Sequence, residues 1–248
     1  MAKRRKTTSG ENVFVVATIV LCFLVTLGLS FAFSGDGFLN LAQVFAKSEE
    51  RCFYLLAIGG YDDMTLARNT AELVKNRGGA GYVLKGEDGN GIEIIFAAYD
   101  DSDAADKVLA TVEDRSAYLK TIIVKDSTLK WASGDVKTAA KDALCYFDIA
   151  FKTLYETSNS LNDNAVSLEE ARTRIRVLST QIGDIKSIFY LKTAGIDSRE
   201  VTEIKLALIT ALALLDNVEY SSIVKACSSM RYQIVQLVLC YQALLSNV

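Results

Sequence analysis

The chain has 248 residues, half of them apolar, and a formal net charge of −3. This length is enough for one or two folded domains, and an acidic body without a basic stripe argues against a nucleic-acid partner. The sequence contains no histidine and no proline. Without histidine, the Ser-His-Asp and Cys-His catalytic arrangements and the histidine-bearing zinc sites are excluded. We therefore expect a non-enzymatic protein with no catalytic residues, no metal and no cofactor.

The first distinctive segment is an apolar run. Residues 13–33 hold twenty-one residues without a charge, which as a helix would extend roughly 32 Å and match a bilayer core of about 30 Å. Four basic residues at 3–6 precede the run, and the positive-inside rule then puts the N-terminus in the cytoplasm. The prediction is a basic tail at 1–12, a single transmembrane helix in contact with the lipid bilayer, and a juxtamembrane stalk at 34–50.

A cleaved signal peptide is the alternative interpretation of this run. Small residues near Ala32 and Ser34 could form a cleavage site, although such signals usually have a shorter apolar region of about 7 to 15 residues. Under either interpretation the rest of the chain lies outside the cytoplasm, at the cell membrane or in the envelope.

A strand and a helix follow the stalk. Residues 51–58 read RCFYLLAI and end at Gly59-Gly60, which predicts a strand followed by a turn. Asp62 and Asp63 then precede apolar residues at helical spacing. An aspartate at this place caps a helix, because its carboxylate accepts hydrogen bonds from free backbone N–H groups.

The same order then repeats. Strands are predicted at 81–85 and 92–98, joined by a hairpin turn at 87–91. Asp100 and Asp101 precede a second amphipathic helix that is predicted to extend to about Asp114, and residues 120–125 predict a fourth strand. The element order is βαββαβ, and Tyr-Asp-Asp occurs at both strand-to-helix corners.

The repeated corners have two alternative interpretations. Gly59-Gly60 could cradle a phosphate, but no Gly-Lys-Ser/Thr follows and the second copy has Ala97-Ala98 instead. The four aspartates could form an acid/base pair or hold a metal ion, but they start two helices half a domain apart. Helix capping explains both copies with one mechanism.

The pattern resembles the sporulation-related repeat (SPOR) domain over residues 51–126. Residues 56–61, LAIGGY, lie on the first family motif, and residues 94–99, IIFAAY, lie on the second. The resemblance implies a ferredoxin-like antiparallel sheet with helices on one face, displayed outside a bacterial inner membrane. It also implies binding to peptidoglycan glycan strands, with a role in division or sporulation.

The open face of this sheet is the predicted binding surface. Strand alternation puts Phe53, Leu55 and Ala57 on one face. The matching positions on the neighbouring strand are Glu93, Ile95 and Ala97. The predicted glycan or partner face consists of Phe53, Leu55, Ala57, Tyr82, Lys85, Glu93 and Ile95. Because an apolar patch of this kind also suits a protein contact, a peptidoglycan ligand and an envelope protein partner both remain hypotheses.

The rest of the chain predicts helices only. After a linker at 127–134, residues 135–248 carry four apolar stripes at spacings of three and four, with short connections between them. Ser167 and Glu170 precede the second stripe in a capping-box arrangement with Ser167 at the cap. This predicts an antiparallel four-helix bundle, with a coiled-coil oligomer as the alternative. Metal sites in bundles use Glu-x-x-His pairs, which a chain without histidine cannot form. Cysteines at 145, 227 and 240 fall in these helices, where a core role is expected.

The predicted fold class is therefore α+β: a transmembrane helix, a βαββαβ SPOR-like domain and a helical bundle. The leading functional hypothesis is a non-enzymatic, single-pass envelope protein that binds peptidoglycan. The alternative is a protein-interaction or scaffold module that uses the apolar sheet face and the bundle. A carboxylate-based wall hydrolase is the third hypothesis, and it lacks a positioned acid/base pair.

Overall fold

The computed structural model describes residues 51–86, 91–112, 114, 116–124 and 129–247. The predicted tail, transmembrane helix and stalk, as well as residues 87–90 of the predicted hairpin turn, lie outside the described residues.

The predicted fold class, which combined a transmembrane helix with a βαββαβ domain and a helical bundle, is wrong. Within the described residues no helix is both long enough and apolar enough to cross a membrane. The structure is α+β, with one four-stranded antiparallel sheet and helices. The sheet and the helical bundle are not built as separate bodies either, since one apolar core runs through both.

The first half of the chain builds the sheet and two helices. Its elements are β1 (Arg51–Tyr61), α1 (Met64–Asn76), β2 (Tyr82–Lys85), β3 (Ile92–Tyr99), α2 (Ser102–Leu109) and β4 (Ala117–Val124). All pairings are antiparallel, in the order β2-β3-β1-β4. Both helices begin as predicted: the Asp63 carboxylate accepts from the Thr65 N–H at 2.7 Å, and the Asp101 carboxylate accepts from the Asp103 N–H at 3.2 Å.

Two irregularities in the pairing of β1 with β3 change which residues share a face. The predicted turn at Gly59-Gly60 lies inside β1, where Gly60 has a φ of +90° and the register shifts. A second shift pairs Ala57 with Ile95 but Leu56 with Ala97. A bulge of this kind rotates the following residues, so Ala97 packs on the side of α2 rather than beside Ile95. The prediction that Ala97 shares the face of Ile95 is therefore wrong.

The second half of the chain is a bundle of four helices. They are α3 (Gly134–Asn162), α4 (Leu168–Lys192), α5 (Arg199–Asp216) and α6 (Ile223–Asn247). Helix α4 begins with the predicted capping box, in which the Ser167 hydroxyl accepts from the Glu170 N–H and the Glu170 carboxylate accepts from the Ser167 N–H. Helix α3 packs on α4 and α6, and α5 closes the bundle by contacting the same two helices.

The sheet lies between two helical layers. Helices α1 and α2 cover one face, and the bundle covers the other, where it shares a core with β1, β3 and β4. An ion pair between Arg51, at the start of β1, and Asp148 of α3 joins the two halves at the edge of this core. The Cys227 side chain has the predicted core position, with its thiol donating to the Ser158 carbonyl at 3.4 Å.

Candidate functional site

Four of the predicted site residues form the interface between the sheet and the bundle. Phe53 is 5% exposed, and Leu55, Ala57 and Ile95 have no exposed surface. The Phe53 ring contacts Phe151 of α3, with centroids 5.0 Å apart. The face that was predicted to be open is thus an intramolecular contact, and its side chains are buried.

Tyr82 and Lys85 lie on the edge strand β2 but on opposite faces: Tyr82 pairs with Ile95 on the covered face, whereas Lys85 pairs with Ile92, which packs on α1. The Tyr82 ring is half-buried against Tyr232 of α6, with centroids 5.1 Å apart. Burial raises the pKa of the Tyr82 hydroxyl, and the neighbouring Tyr232 raises it further. Lys85 ends the strand and is exposed. Tyr82 therefore contributes to packing, and Lys85 alone of this pair is open to solvent.

Glu93 belongs to a polar group at the margin of the covered face. The Lys120 Nζ lies 3.0 Å from the Glu93 Oε2, and the two side chains are 21% and 13% exposed. The Tyr118 hydroxyl also donates to Glu93; burial, this hydrogen bond and the carboxylate charge raise the pKa of Tyr118 to about 12. Glu93 is therefore already engaged by two neighbours on β4.

An open groove lies on the opposite side of the sheet. It has a volume of about 870 Å³ and runs between α1 and α2. Its floor includes Leu56 and Ile58 of β1 and Phe96 of β3, while Leu73 and Val108 come from the two helices. The volume falls in the range of ligand pockets, roughly 300–1,000 Å³, and such pockets have largely apolar linings with a few polar groups.

The rim of the groove exposes large apolar side chains. Leu73 of α1 is 61% exposed and Val108 of α2 is 36% exposed. Leu66 is 54% exposed and precedes Leu73 by two helical turns, so both lie on one side of α1. The buried face of α1 is formed by smaller residues such as Ala67 and Ala71. Helix α1 therefore has a second apolar stripe, for which no packing partner is present in the described residues.

The bundle supplies the polar end of the groove. Tyr155 and Asn159 of α3 and Arg231 of α6 line it there, beside Tyr99 of β3. The Tyr99 and Tyr155 rings meet edge to face with centroids 6.1 Å apart. Burial raises the pKa of Tyr99, and Tyr155 adds to this effect, whereas the positive charge of Arg231 opposes it.

Arg231 is held in place by two hydrogen bonds to neutral groups. Its Nη1 donates to the Gly78 carbonyl at 2.9 Å, and its Nη2 donates to the Asn159 Oδ1 at 3.3 Å. No carboxylate in the described part of the chain lies within 4.0 Å of this half-buried guanidinium. Its charge is thus positioned in the groove without being neutralised there.

Opposite charges lie toward the two ends of the groove. Its described lining includes one carboxylate, Asp114, which accepts from the Ser116 N–H and hydroxyl; these bonds lower its pKa. Asp114 precedes β4, whose first residue pairs with Ile58, whereas Tyr99 pairs with Tyr54. Four residues of β1 separate these levels, about 13 Å. The negative group thus lies toward one end and the guanidinium toward the other.

Sequence reasoning did not find this groove. Tyr99 belongs to the second Tyr-Asp-Asp corner, for which helix capping is the expected role, and Arg231 is a single basic residue between the buried Met230 and Ile234. A charged residue beside a helix's apolar stripe was the one available signal, but sequence spacing does not say which strand or helix lies opposite. The described residues contain no group of three or more side chains suited to holding a metal ion.

The comparisons with known proteins do not identify a relative. The resemblance to the SPOR domain therefore stays a prediction from two short motifs. No protein-family model, no curated protein and no solved structure matches this chain.

Proposed function

We propose that this chain is a non-enzymatic binding protein whose ligand site is the groove between α1 and α2. The observation that carries the proposal is the pairing of an apolar floor with exposed apolar rim residues, Leu73 and Val108. Large exposed apolar groups beside a concavity are a feature of ligand and partner sites, because leaving them in water is unfavourable.

The proposal moves the site away from the predicted sheet face. Glycan binding was expected there, and so was the alternative protein contact, yet the bundle packs on that face and buries Leu55, Ala57 and Ile95. Sugars also need several hydrogen-bonding groups beside an apolar platform, whereas the groove concentrates its polar side chains at the bundle end. An elongated, mainly apolar ligand fits this distribution better than a glycan strand.

Photo-crosslinking of the full chain with a photoreactive dodecanol, in buffer without detergent, tests the proposal. We expect saturable labelling of peptides that line the groove, mapped by mass spectrometry and reduced by unlabelled dodecanol. The Leu73→Ser substitution should weaken binding about fivefold, because it removes apolar contact area. The matched control is Leu206→Ser on α5, a leucine with 57% exposure against 61% for Leu73. Labelling that is unsaturable, or equal in both variants, would contradict the proposal.

A further inference from the structure

The polar end of the groove indicates the ligand's head group, which its apolar walls do not. An arginine side chain has five N–H donors in a planar fork, and two hydrogen bonds of Arg231, to Gly78 and Asn159, fix its position. Donors therefore remain for a ligand, and a planar carboxylate matches the fork with two parallel hydrogen bonds. Asn159 and Tyr155 also line this end of the groove, and their side chains carry further hydrogen-bonding groups.

The distribution of charge supports an anionic ligand group at this place. A half-buried guanidinium without a nearby carboxylate gains more from an anion than an exposed, screened cation does, because the local dielectric is lower. Arg77, which follows the last residue of α1, adds a second cation to the described lining. Asp114 lies toward the other end, so an anionic head bound there would be repelled, and the charges favour one orientation.

The apolar part of the groove supports an alkyl chain rather than an extended peptide. A peptide brings backbone N–H and C=O groups that need partners wherever they are buried. The floor side chains Leu56, Ile58 and Phe96 are hydrocarbon, and the groove lies on a sheet face rather than along a strand edge where backbone pairing could occur. An alkyl chain requires no such partners, and its one polar group would meet the polar end.

Building on the proposed function, we infer that the ligand is a single-chain amphiphile with a carboxylate head. The carboxylate pairs with Arg231 at the bundle end, and the chain extends over Leu56 and Phe96 toward Ile58, beneath the rim formed by Leu73 and Val108. The groove is thus a site for fatty-acid-like molecules, and Arg231 determines the specificity for their head group.

Three probes of equal chain length test this inference on the full chain: dodecanoate, dodecanol and dodecyltrimethylammonium, each competing with the photoreactive dodecanol. We expect dodecanoate to compete about tenfold better than dodecanol, because a charge-assisted pair adds to the same apolar contact. Dodecyltrimethylammonium should compete less well than dodecanol. Equal competition by all three would overturn the head-group assignment while leaving the proposed function intact, whereas no competition by any of them would overturn both.

Variants of Arg231 test whether its guanidinium causes the preference for dodecanoate. Arg231→Gln should weaken dodecanoate binding much more than dodecanol binding and so remove the preference for dodecanoate; the dodecanol labelling that remains shows that the groove still folds. Arg231→Lys keeps the charge without the planar fork and should keep part of the preference. If Arg231→Gln still prefers dodecanoate, the assignment to Arg231 is wrong. If that variant no longer binds dodecanol, the comparison passes to Arg231→Lys, and an unchanged tenfold preference there would contradict the role of the fork.

Discussion

The ring of Phe53, in the first strand, packs against the ring of Phe151, in the first bundle helix, with centroids 5.0 Å apart and planes at 52°. These residues are almost a hundred positions apart in the chain, and both are at most 5% exposed. Tilted aromatic pairs of this kind contribute beyond their buried area, by about 0.5–1.5 kcal/mol. The contact makes the sheet and the bundle parts of one core.

The Phe53→Ala substitution should lower the free energy of unfolding by about 3–5 kcal/mol, since it leaves a cavity in the shared core. Hydrogen exchange in increasing urea, read by mass spectrometry, should show peptides of β1 and α3 losing protection in the same transition. Leu191→Ala is the control, because Leu191 is 74% exposed and its truncation should change stability by less than about 0.5 kcal/mol. A bundle that keeps its protection after the sheet has lost it would contradict the shared core.

Two glycine-to-alanine substitutions should have opposite effects. A Cβ at Gly183, inside α4, would meet no atom within 4 Å, so the better helix propensity of alanine should stabilise the protein by about 0.5–1 kcal/mol. A Cβ at Gly81 would lie 2.3 Å from the Ala71 carbonyl oxygen, and the φ of +56° disfavours side chains. Gly81→Ala should therefore cost at least about 2 kcal/mol. Urea denaturation followed by circular dichroism measures both, and a destabilising Gly183→Ala would show that α4 is packed differently at this point.

The capping aspartates should act on stability without a metal ion. Asp63→Ala and Asp101→Ala should each cost about 1 kcal/mol, and Asp63→Asn should restore most of the first loss because asparagine caps equally well. Asp62→Ala serves as the neighbouring control, since the cap of α1 is Asp63. Thermal unfolding with and without a chelator checks this. A melting temperature that falls on chelation in the parent chain but not in Asp63→Ala would favour a metal role instead.

Tyr118 should make stability depend on alkaline pH. Its pKa in the folded chain is about 12, above the value of about 10 for an unfolded tyrosine, so the folded state retains the proton longer. The resulting stabilisation is fully present below pH ~10 and is lost as pH rises toward 12. Unfolding midpoints in urea between pH 9 and 12 should fall less steeply in Tyr118→Phe than in the parent. Glu93→Gln removes the carboxylate charge, which is one cause of the raised pKa of Tyr118. It should therefore narrow the pH range over which the stability falls.

Local signals in the sequence predicted local structure well. The caps at Asp63 and Asp101 and the box at Ser167 and Glu170 depend on residues within one helical turn, and the structure confirms them. The second helix was expected to reach about Asp114 but ends at Leu109, and the next strand starts earlier than expected, at Ala117. Boundaries differ because the ends of elements are decided by tertiary contacts as well as by propensity.

Long-range relationships could not be predicted in the same way. The register shift between Leu56 and Ala57 turns Ala97 away from Ile95. No residue type in β3 predicts this shift. The apolar character of Phe53, Leu55 and Ala57 was visible, but two partners, another protein or the chain's own helices, would produce the same pattern. The groove combines residues from two strands and four helices, and Arg231 is more than 150 positions from Gly78, whose carbonyl oxygen accepts its hydrogen bond.

The ion pair of Arg51 with Asp148 and the contact of Phe53 with Phe151 tie the beginning of the sheet to the middle of α3. We expect side chains on either side of this sheet–bundle contact to change in concert, since an enlarged residue at Ala57, which has no exposed surface, would need space from the bundle. Recombination between divergent relatives near residue 130 would therefore join a sheet and a bundle that had not adapted to each other. We therefore expect the sheet and the bundle to be inherited together.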